Sequence, residues 1–128
     1  GDAKIVRVGC AGLENKVEEG DMTSKQVETL ISRYLKKALI NNPDYLVLGC
    51  THYPFLKKTI QRHVGDKIKL IDSGKAIARR VNNLLSDADI LNILSGSTEY
   101  LTTGDPEKFA RVASVLLKEK VSAKKLEI

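Results

Sequence analysis

The stretch Tyr45-Leu46-Val47-Leu48-Gly49-Cys50-Thr51-His52-Tyr53-Pro54 constrains the chain more than any other. Its four apolar residues, bounded upstream by Asn41-Asn42-Pro43-Asp44, read as a short buried strand. The run stops at Gly49 and then delivers a thiol, a hydroxyl and an imidazole at three successive positions. Pro54 follows where helices often take a proline, because the first N–H groups of a helix have no intrahelical partner. A strand–turn–helix unit of this kind sets Cys50 at the carboxyl end of a strand and beside a helix start. Open α/β sheets bind their ligands at that edge.

The rest of the chain reads as an α/β fold. Lys4-Ile5-Val6-Arg7-Val8-Gly9-Cys10 predicts a first strand, and the acidic segment from Ala11 to Met22, which lacks clean periodicity, a loop with room for one helical turn. Val27, Leu30, Ile31, Tyr34, Leu35, Ala38 and Leu39 then form one apolar stripe at helical spacing. Thr23 and Gln26 have capping-box spacing and support a start near Ser24; Asn41-Asn42-Pro43 ends the helix. Beyond the central strand, Leu56, Ile60 and Val64 mark a shorter helix closed by Gly65. Ile68, Leu70 and Ile71 make a strand running into Asp72-Ser73-Gly74, and Ile77, Ala78, Val81, Leu84 and Leu85 a third helix. Three strand–helix pairs in series imply parallel strands.

Residues 86–97 read as a connection and Tyr100-Leu101-Thr102-Thr103 as a strand. Asp105-Pro106-Glu107 supplies an N-cap, a first-turn proline and a first-turn acid to a last helix striped by Phe109, Val112, Ala113, Leu116 and Leu117. Lys124 to Ile128 predicts a final short strand. The expected fold class is therefore α/β, a parallel sheet flanked by helices.

Composition narrows the function classes. A length of 128 residues, 42% apolar and 29% charged, suits a globular domain with a real core. No apolar run approaches the roughly 20 residues that cross a bilayer, and the N-terminus has no signal-peptide core, so the expectation is a cytoplasmic protein without a membrane partner. The chain opens on Gly1 rather than Met, as a piece of a longer protein would. The net charge of +5 is spread evenly, +3 over residues 1–64 and +2 over 65–128, with no basic pole and no Trp, which argues against a nucleic-acid face. Two cysteines, Cys10 and Cys50, without secretory signals read as reduced thiols.

Cys50 is useful as a nucleophile or base only when ionised, and a helix N-terminus favours the thiolate. The same amides can hold a substrate carboxylate, Thr51 adds a hydroxyl donor, and His52 titrates near neutrality. A base, an anion holder and a proton partner thus occupy one tripeptide. The same residues also suit a small buried hydrophobe with His52 as a polar cap, and composition alone does not separate the two. Cys10 and His63 lack the usual zinc-ligand spacings, so no metal site is expected. A cysteine-phosphatase loop would place an arginine where Leu56 stands.

Leu48-Gly49-Cys50-Thr51-His52-Tyr53-Pro54-Phe55-Leu56 resembles the second cysteine motif of the bacterial glutamate racemases, within the Asp/Glu racemase family. Ile71-Asp72-Ser73-Gly74 with Ala78-Arg79-Arg80-Val81, and Thr102-Thr103-Gly104-Asp105-Pro106-Glu107-Lys108-Phe109, are similar to later segments of those enzymes in the same order. Cys10 and Val17-Glu18-Glu19-Gly20 resemble the start of that half, with Ala11 where the family usually has proline. The resemblance implies about half of a two-domain, pseudo-symmetric racemase fold. Residues 1–80 would belong to the α/β domain bearing the second catalytic cysteine, and residues 81–128 would pack on the other, absent domain.

The resemblance also implies a cofactor-independent, two-thiol interconversion of L- and D-glutamate for peptidoglycan synthesis. Cys50 would be the second thiol and His52 its acid/base neighbour; Thr51 would hold a substrate carboxylate. Glu18 falls at the place of a family acidic residue, its alternative being an ordinary solvated carboxylate. The family's first Asp-Ser-Gly loop and its Cys-Asn-Thr motif are missing here, so the chain is expected to resemble the C-terminal half, to be inactive alone, to need the N-terminal half as partner, and to self-associate through exposed apolar surface. The competing readings are a related aspartate or other amino-acid racemase, and a non-catalytic anion-binding or interaction module.

Overall fold

The computed structural model describes residues 2–128. By its internal contacts the chain divides into two units, one ending at Asp72 and one beginning at Ser73. Residue 80, where the sequence analysis places its boundary, lies within a continuous helix.

In the first unit the strands are short and the helices supply the core. Helix α1 spans Leu13–Glu18, α2 Lys25–Ala38 and α3 Lys57–Val64, with strands β1 at Tyr45–Val47 and β2 at Lys69–Ile71. Leu13 and Val17 of α1, Val27, Ile31 and Leu35 of α2, and Leu56 and Ile60 at and within α3 are buried together with Leu48. The α2 positions are the i, i+4, i+8 members of its predicted stripe, so the 3.6-residue period sets which side chains leave water. Ser24 caps α2 by accepting from the Val27 N–H at 3.3 Å. The Asp21 carboxylate in turn accepts from the Thr23 and Ser24 amides. Asn42, with φ 46°, ends the short 3-10 turn that follows α2.

Strands β1 and β2 pair in parallel, Tyr45 opposite Lys69, Leu46 opposite Leu70 and Val47 opposite Ile71. The ladder is bracketed by Lys69 N–H to the Asp44 carbonyl at 3.0 Å and Leu48 N–H to the Ile71 carbonyl at 2.8 Å. An ion pair of 2.8 Å between Lys57 and Asp72 ties the start of α3 to the end of β2. Gly65, with φ 68°, closes α3 in a conformation that a side chain would strain.

The second unit contains α4 (Gly74–Asp87), β3 (Tyr100–Thr102), α5 (Pro106–Leu117) and β4 (Ala123–Lys125). Strands β3 and β4 also run parallel, Tyr100 opposite Ala123 and Thr102 opposite Lys125. Asp105 caps α5 by accepting from the Glu107 and Lys108 amides at 2.8 and 3.1 Å, with Pro106 in the first turn as the sequence predicts. The rings of Tyr100 and Phe109 meet at 6.1 Å between centroids. Helix α4 buries none of its residues, and Ile77, Val81 and Leu84 of its apolar stripe lie exposed.

Several sequence expectations need correction. The apolar run at Tyr45 forms a strand but not a buried one: among the described residues it pairs with β2 alone, and Tyr45 and Val47 lie 53% and 67% exposed. Residues 4–10 form no strand: Ile5 and Val6 are exposed and no ladder includes them. A β-branched run becomes a strand only when a neighbour pairs with it, and among the described residues none does. The helical turn expected in the next segment is a six-residue helix, α1, with Leu13 and Val17 anchoring it to α2. Strands are otherwise parallel as expected, but they lie in two separate two-stranded sheets. Among the described residues no helix is long and apolar enough to cross a membrane.

Leu56 is fully buried where the Cys50 loop passes into α3. Leu56→Ala is expected to cost about 2–5 kcal/mol by lost transfer energy and a residual cavity. A urea unfolding midpoint that does not fall would contradict this packing.

Candidate active site

The loop from Leu48 to His52 leaves the carboxyl end of β1 and turns into a 3-10 segment, Tyr53–Leu56, which continues directly as α3. Pro54 sits in the first turn of that segment. The turn is closed by Tyr53 N–H to the Cys50 carbonyl at 3.2 Å and by Phe55 N–H to the His52 carbonyl at 3.2 Å. Cys50 is thereby held just ahead of a helical start, as the sequence predicts.

The structure brings three of the predicted site residues into one line. Cys50 Sγ lies 3.6 Å from His52 Nδ1, and His52 Nε2 lies 2.6 Å from Glu18 Oε1. Thr51 Oγ1 is 3.4 Å from the same Nδ1, on the exposed side of the loop. Glu18 reaches this position from the last residue of α1, 34 residues away in sequence. The pair is part-exposed, His52 at 30% and Glu18 at 68% of side-chain surface, so its interaction is screened by water.

The electrostatics follow from this line. A carboxylate is acceptor-only, so the Glu18 bond requires a proton on His52 Nε2. Nδ1 then faces the thiol, accepting from S–H when the ring is neutral and donating to the thiolate when it is charged. Hydrogen bonding to Glu18, and next to Cys50, raises the imidazole's pKa above its ordinary 6.5. For Cys50, burial pushes the thiol up, but the His52 amide, the His52 ring and the Tyr53 amide together outweigh it and leave the pKa below the ordinary 9.0. Cys10 moves the other way: desolvation dominates and raises its pKa. Its thiol donates to the Val8 carbonyl at 3.5 Å. The phenol of Tyr53, desolvated and near both thiols, is pushed up to about 12 and stays protonated.

Sequence reasoning missed how α1 is fastened. Tyr53 Oη donates to the Cys10 carbonyl at 3.3 Å, and Tyr34 Oη to the Ala11 carbonyl at 2.7 Å. Tyr34 belongs to a predicted core stripe and Tyr53 to the predicted site loop, but no local pattern announces a hydroxyl aimed at a distant carbonyl. His63 stands apart from this line, in the last turn of α3. Among the described residues no three His, Cys, Asp or Glu side chains converge as a metal site.

No family model matches the chain. A glutamate racemase of Herpetosiphon aurantiacus is 41% identical over 118 residues, covering 91% of this chain and 46% of that protein. One from Ralstonia pickettii is 37% identical over 100% of this chain and 46% of its own length. Solved structures agree. The glutamate racemase of Thermus thermophilus, in complex with beta-chloro-D-alanine, superposes with a TM-score of 0.78 at 31% identity over 93% of this chain and 46% of that one. Over nine-tenths of its length the chain is similar to glutamate racemases. A Francisella tularensis glutamate racemase in complex with D-glutamate gives a TM-score of 0.75 at 27% identity over 92% of this chain and 45% of that one. The chain therefore spans about half the length of the glutamate racemases it matches, and its α/β architecture is about half of their fold.

Because pairing raises the His52 pKa, the pair contributes stability that is fully present below the ordinary 6.5 and is lost as pH rises through the folded value. Glu18→Gln removes the anionic acceptor, so the His52 midpoint in an NMR pH titration is expected to fall towards 6.5. A midpoint that stays where it is in the unaltered chain would contradict the assignment.

Proposed function

We propose that the chain is the C-terminal portion of a cofactor-independent glutamate racemase, in which Cys50 is one of two thiols that invert the substrate Cα. The observation that carries this reading is the Glu18–His52–Cys50 line at the end of β1, in a chain matching glutamate racemases over nine-tenths of its length. In this reading Cys50, as thiolate, takes the α-proton of L-glutamate, and a second thiol on the opposite face returns a proton, leaving the D-enantiomer. Inversion requires the acid and the base on opposite faces, so one thiol cannot do both. In the reverse direction Cys50 is the donor. His52 stabilises the thiolate when charged and accepts the thiol proton when neutral; Glu18 holds the ring so that Nδ1 faces sulphur. Thr51 and the loop amides take a substrate carboxylate.

The second thiol belongs, in this proposal, to a further α/β domain that these 128 residues do not include. Residues 1–80 are then part of the Cys50-bearing domain, and residues 81–128 pack on the other. Exposed surface supports a missing cover. Tyr45, Val47 and Ile71 of the β1–β2 sheet and Ile77, Val81 and Leu84 of α4 lie exposed. Left alone, such surface favours self-association. The quoted relatives are all named glutamate racemases, which supports glutamate over aspartate as substrate and, with it, a place in supplying D-glutamate for peptidoglycan in the cytoplasm.

The isolated chain is expected not to racemise glutamate, while a protein completed by the other half does. In the completed protein Cys50→Ser is expected to abolish turnover of L-glutamate and preserve its binding. Circular dichroism of the glutamate product reads turnover, and calorimetry reads binding. Robust racemisation by the isolated chain, or full activity of the serine variant, would refute the proposal. A purely anion-binding module would show no turnover in either form.

A further inference from the structure

Helix α1 has only six residues, too few to hold itself in water. Its last residue is nevertheless the one that must place a carboxylate oxygen 2.6 Å from His52 Nε2. Leu13 and Val17 fix which face of α1 turns inward. Two buried apolar side chains on so short a helix set its inward face, but hydrophobic burial is itself non-directional. Hydrogen bonds are directional and fix what packing leaves loose.

Two such bonds converge on consecutive peptide units immediately before α1. Tyr53 Oη donates to the carbonyl of Cys10 at 3.3 Å, and Tyr34 Oη to the carbonyl of Ala11 at 2.7 Å. The Cys10 carbonyl also accepts the Leu13 N–H at 3.3 Å, so the tether attaches to the first turn of α1 itself. Gly12 follows with φ 89°, a left-handed residue that bends the chain into the helix. The two hydroxyls come from different elements. Tyr34 projects from α2, and Tyr53 is the residue directly after His52. One clamp therefore links the entry of α1 to the main core helix and to the loop that carries Cys50 and His52.

We infer that Tyr34 and Tyr53 are positioning residues that fix α1 through the Cys10 and Ala11 carbonyls and so hold Glu18 on His52. Their hydroxyls bond the Ala11 and Cys10 carbonyls, so in the proposed reaction they act through Glu18. The inference rests on reading Glu18–His52–Cys50 as the proton-handling line, but its test reads the imidazole directly and needs no racemase activity. The protonated state of Tyr53, with its pKa pushed up to about 12, keeps the donor available across the working pH range. The titratable groups facing His52 are Glu14 and Glu18 from α1 and Cys50 from its own loop, with the Thr51 hydroxyl beside them.

The test is an NMR pH titration of His52 in Tyr34→Phe, Tyr53→Phe and the double variant, each made with Glu18 intact and with Glu18→Gln. Phenylalanine keeps the rings in place and removes only the hydroxyls, and the single variants are read separately. With Glu18 intact, losing the hydroxyls is expected to lower the His52 midpoint towards its ordinary 6.5. With Glu18→Gln, the tyrosine substitutions are expected to add no further shift, because the carboxylate they position is gone. An unchanged midpoint in the double variant overturns the inference, and so does an equal fall in both backgrounds, which would mark a merely structural role. A failure of the racemase reading instead shows as no turnover by the completed protein, or full activity of its Cys50→Ser variant, with this titration unchanged.

Discussion

A carboxylate oxygen 2.6 Å from the far nitrogen of His52 decides what Cys50 can do. An imidazole beside a thiol can either take its proton or merely touch it. Which occurs depends on the tautomer and on the cost of charging the ring. Glu18 settles both, because an acceptor at Nε2 fixes the proton there and stabilises the positive charge. The effect reaches sulphur through Nδ1, where the ring joins two backbone amides in lowering the thiol's pKa against the pull of burial. Three groups from two distant stretches of chain thus stand in one hydrogen-bonded line, which the proposed function reads as a proton-handling unit.

Everything around the site serves that alignment. The parallel β1–β2 ladder ends where the Cys50 loop begins. The 3-10 turn runs without a break into α3, with Leu56 buried at the junction. Helix α1 gains its position from Leu13 and Val17 and from the tyrosine tethers, since six residues cannot supply it from helix propensity. The energies involved are modest individually. Hydrogen bonds of this kind contribute roughly 0.5–1.5 kcal/mol each. Their value here is geometric, because a proton relay fails when its members are an ångström out of place.

Much of this was legible in the sequence, and the exceptions share a cause. The period of Val27, Ile31 and Leu35 announced α2, and Asp105 with Pro106 announced the start of α5, because caps and stripes are local. The apolar run at Tyr45, the glycine stop and the reactive tripeptide announced the site loop for the same reason. Residues 4–10 have the composition of a strand and lack the partner that would make them one, and pairing is never local. Glu18 could be placed in the site only by family resemblance; nothing within its own stretch says that it meets a histidine 34 residues away. The hydroxyls of Tyr34 and Tyr53 were hidden for that reason too. A stripe position tells that the ring is inward and is silent on where its oxygen points.

The central claim is that this arrangement turns Cys50 into an ionisable base, and the ultraviolet absorbance of its thiolate measures that directly. With Cys10→Ser leaving Cys50 as the sole thiol, titration is predicted to give a midpoint below the ordinary 9.0, and adding His52→Asn to move it upward. A midpoint at or above 9.0, or one indifferent to the loss of His52, would contradict the account.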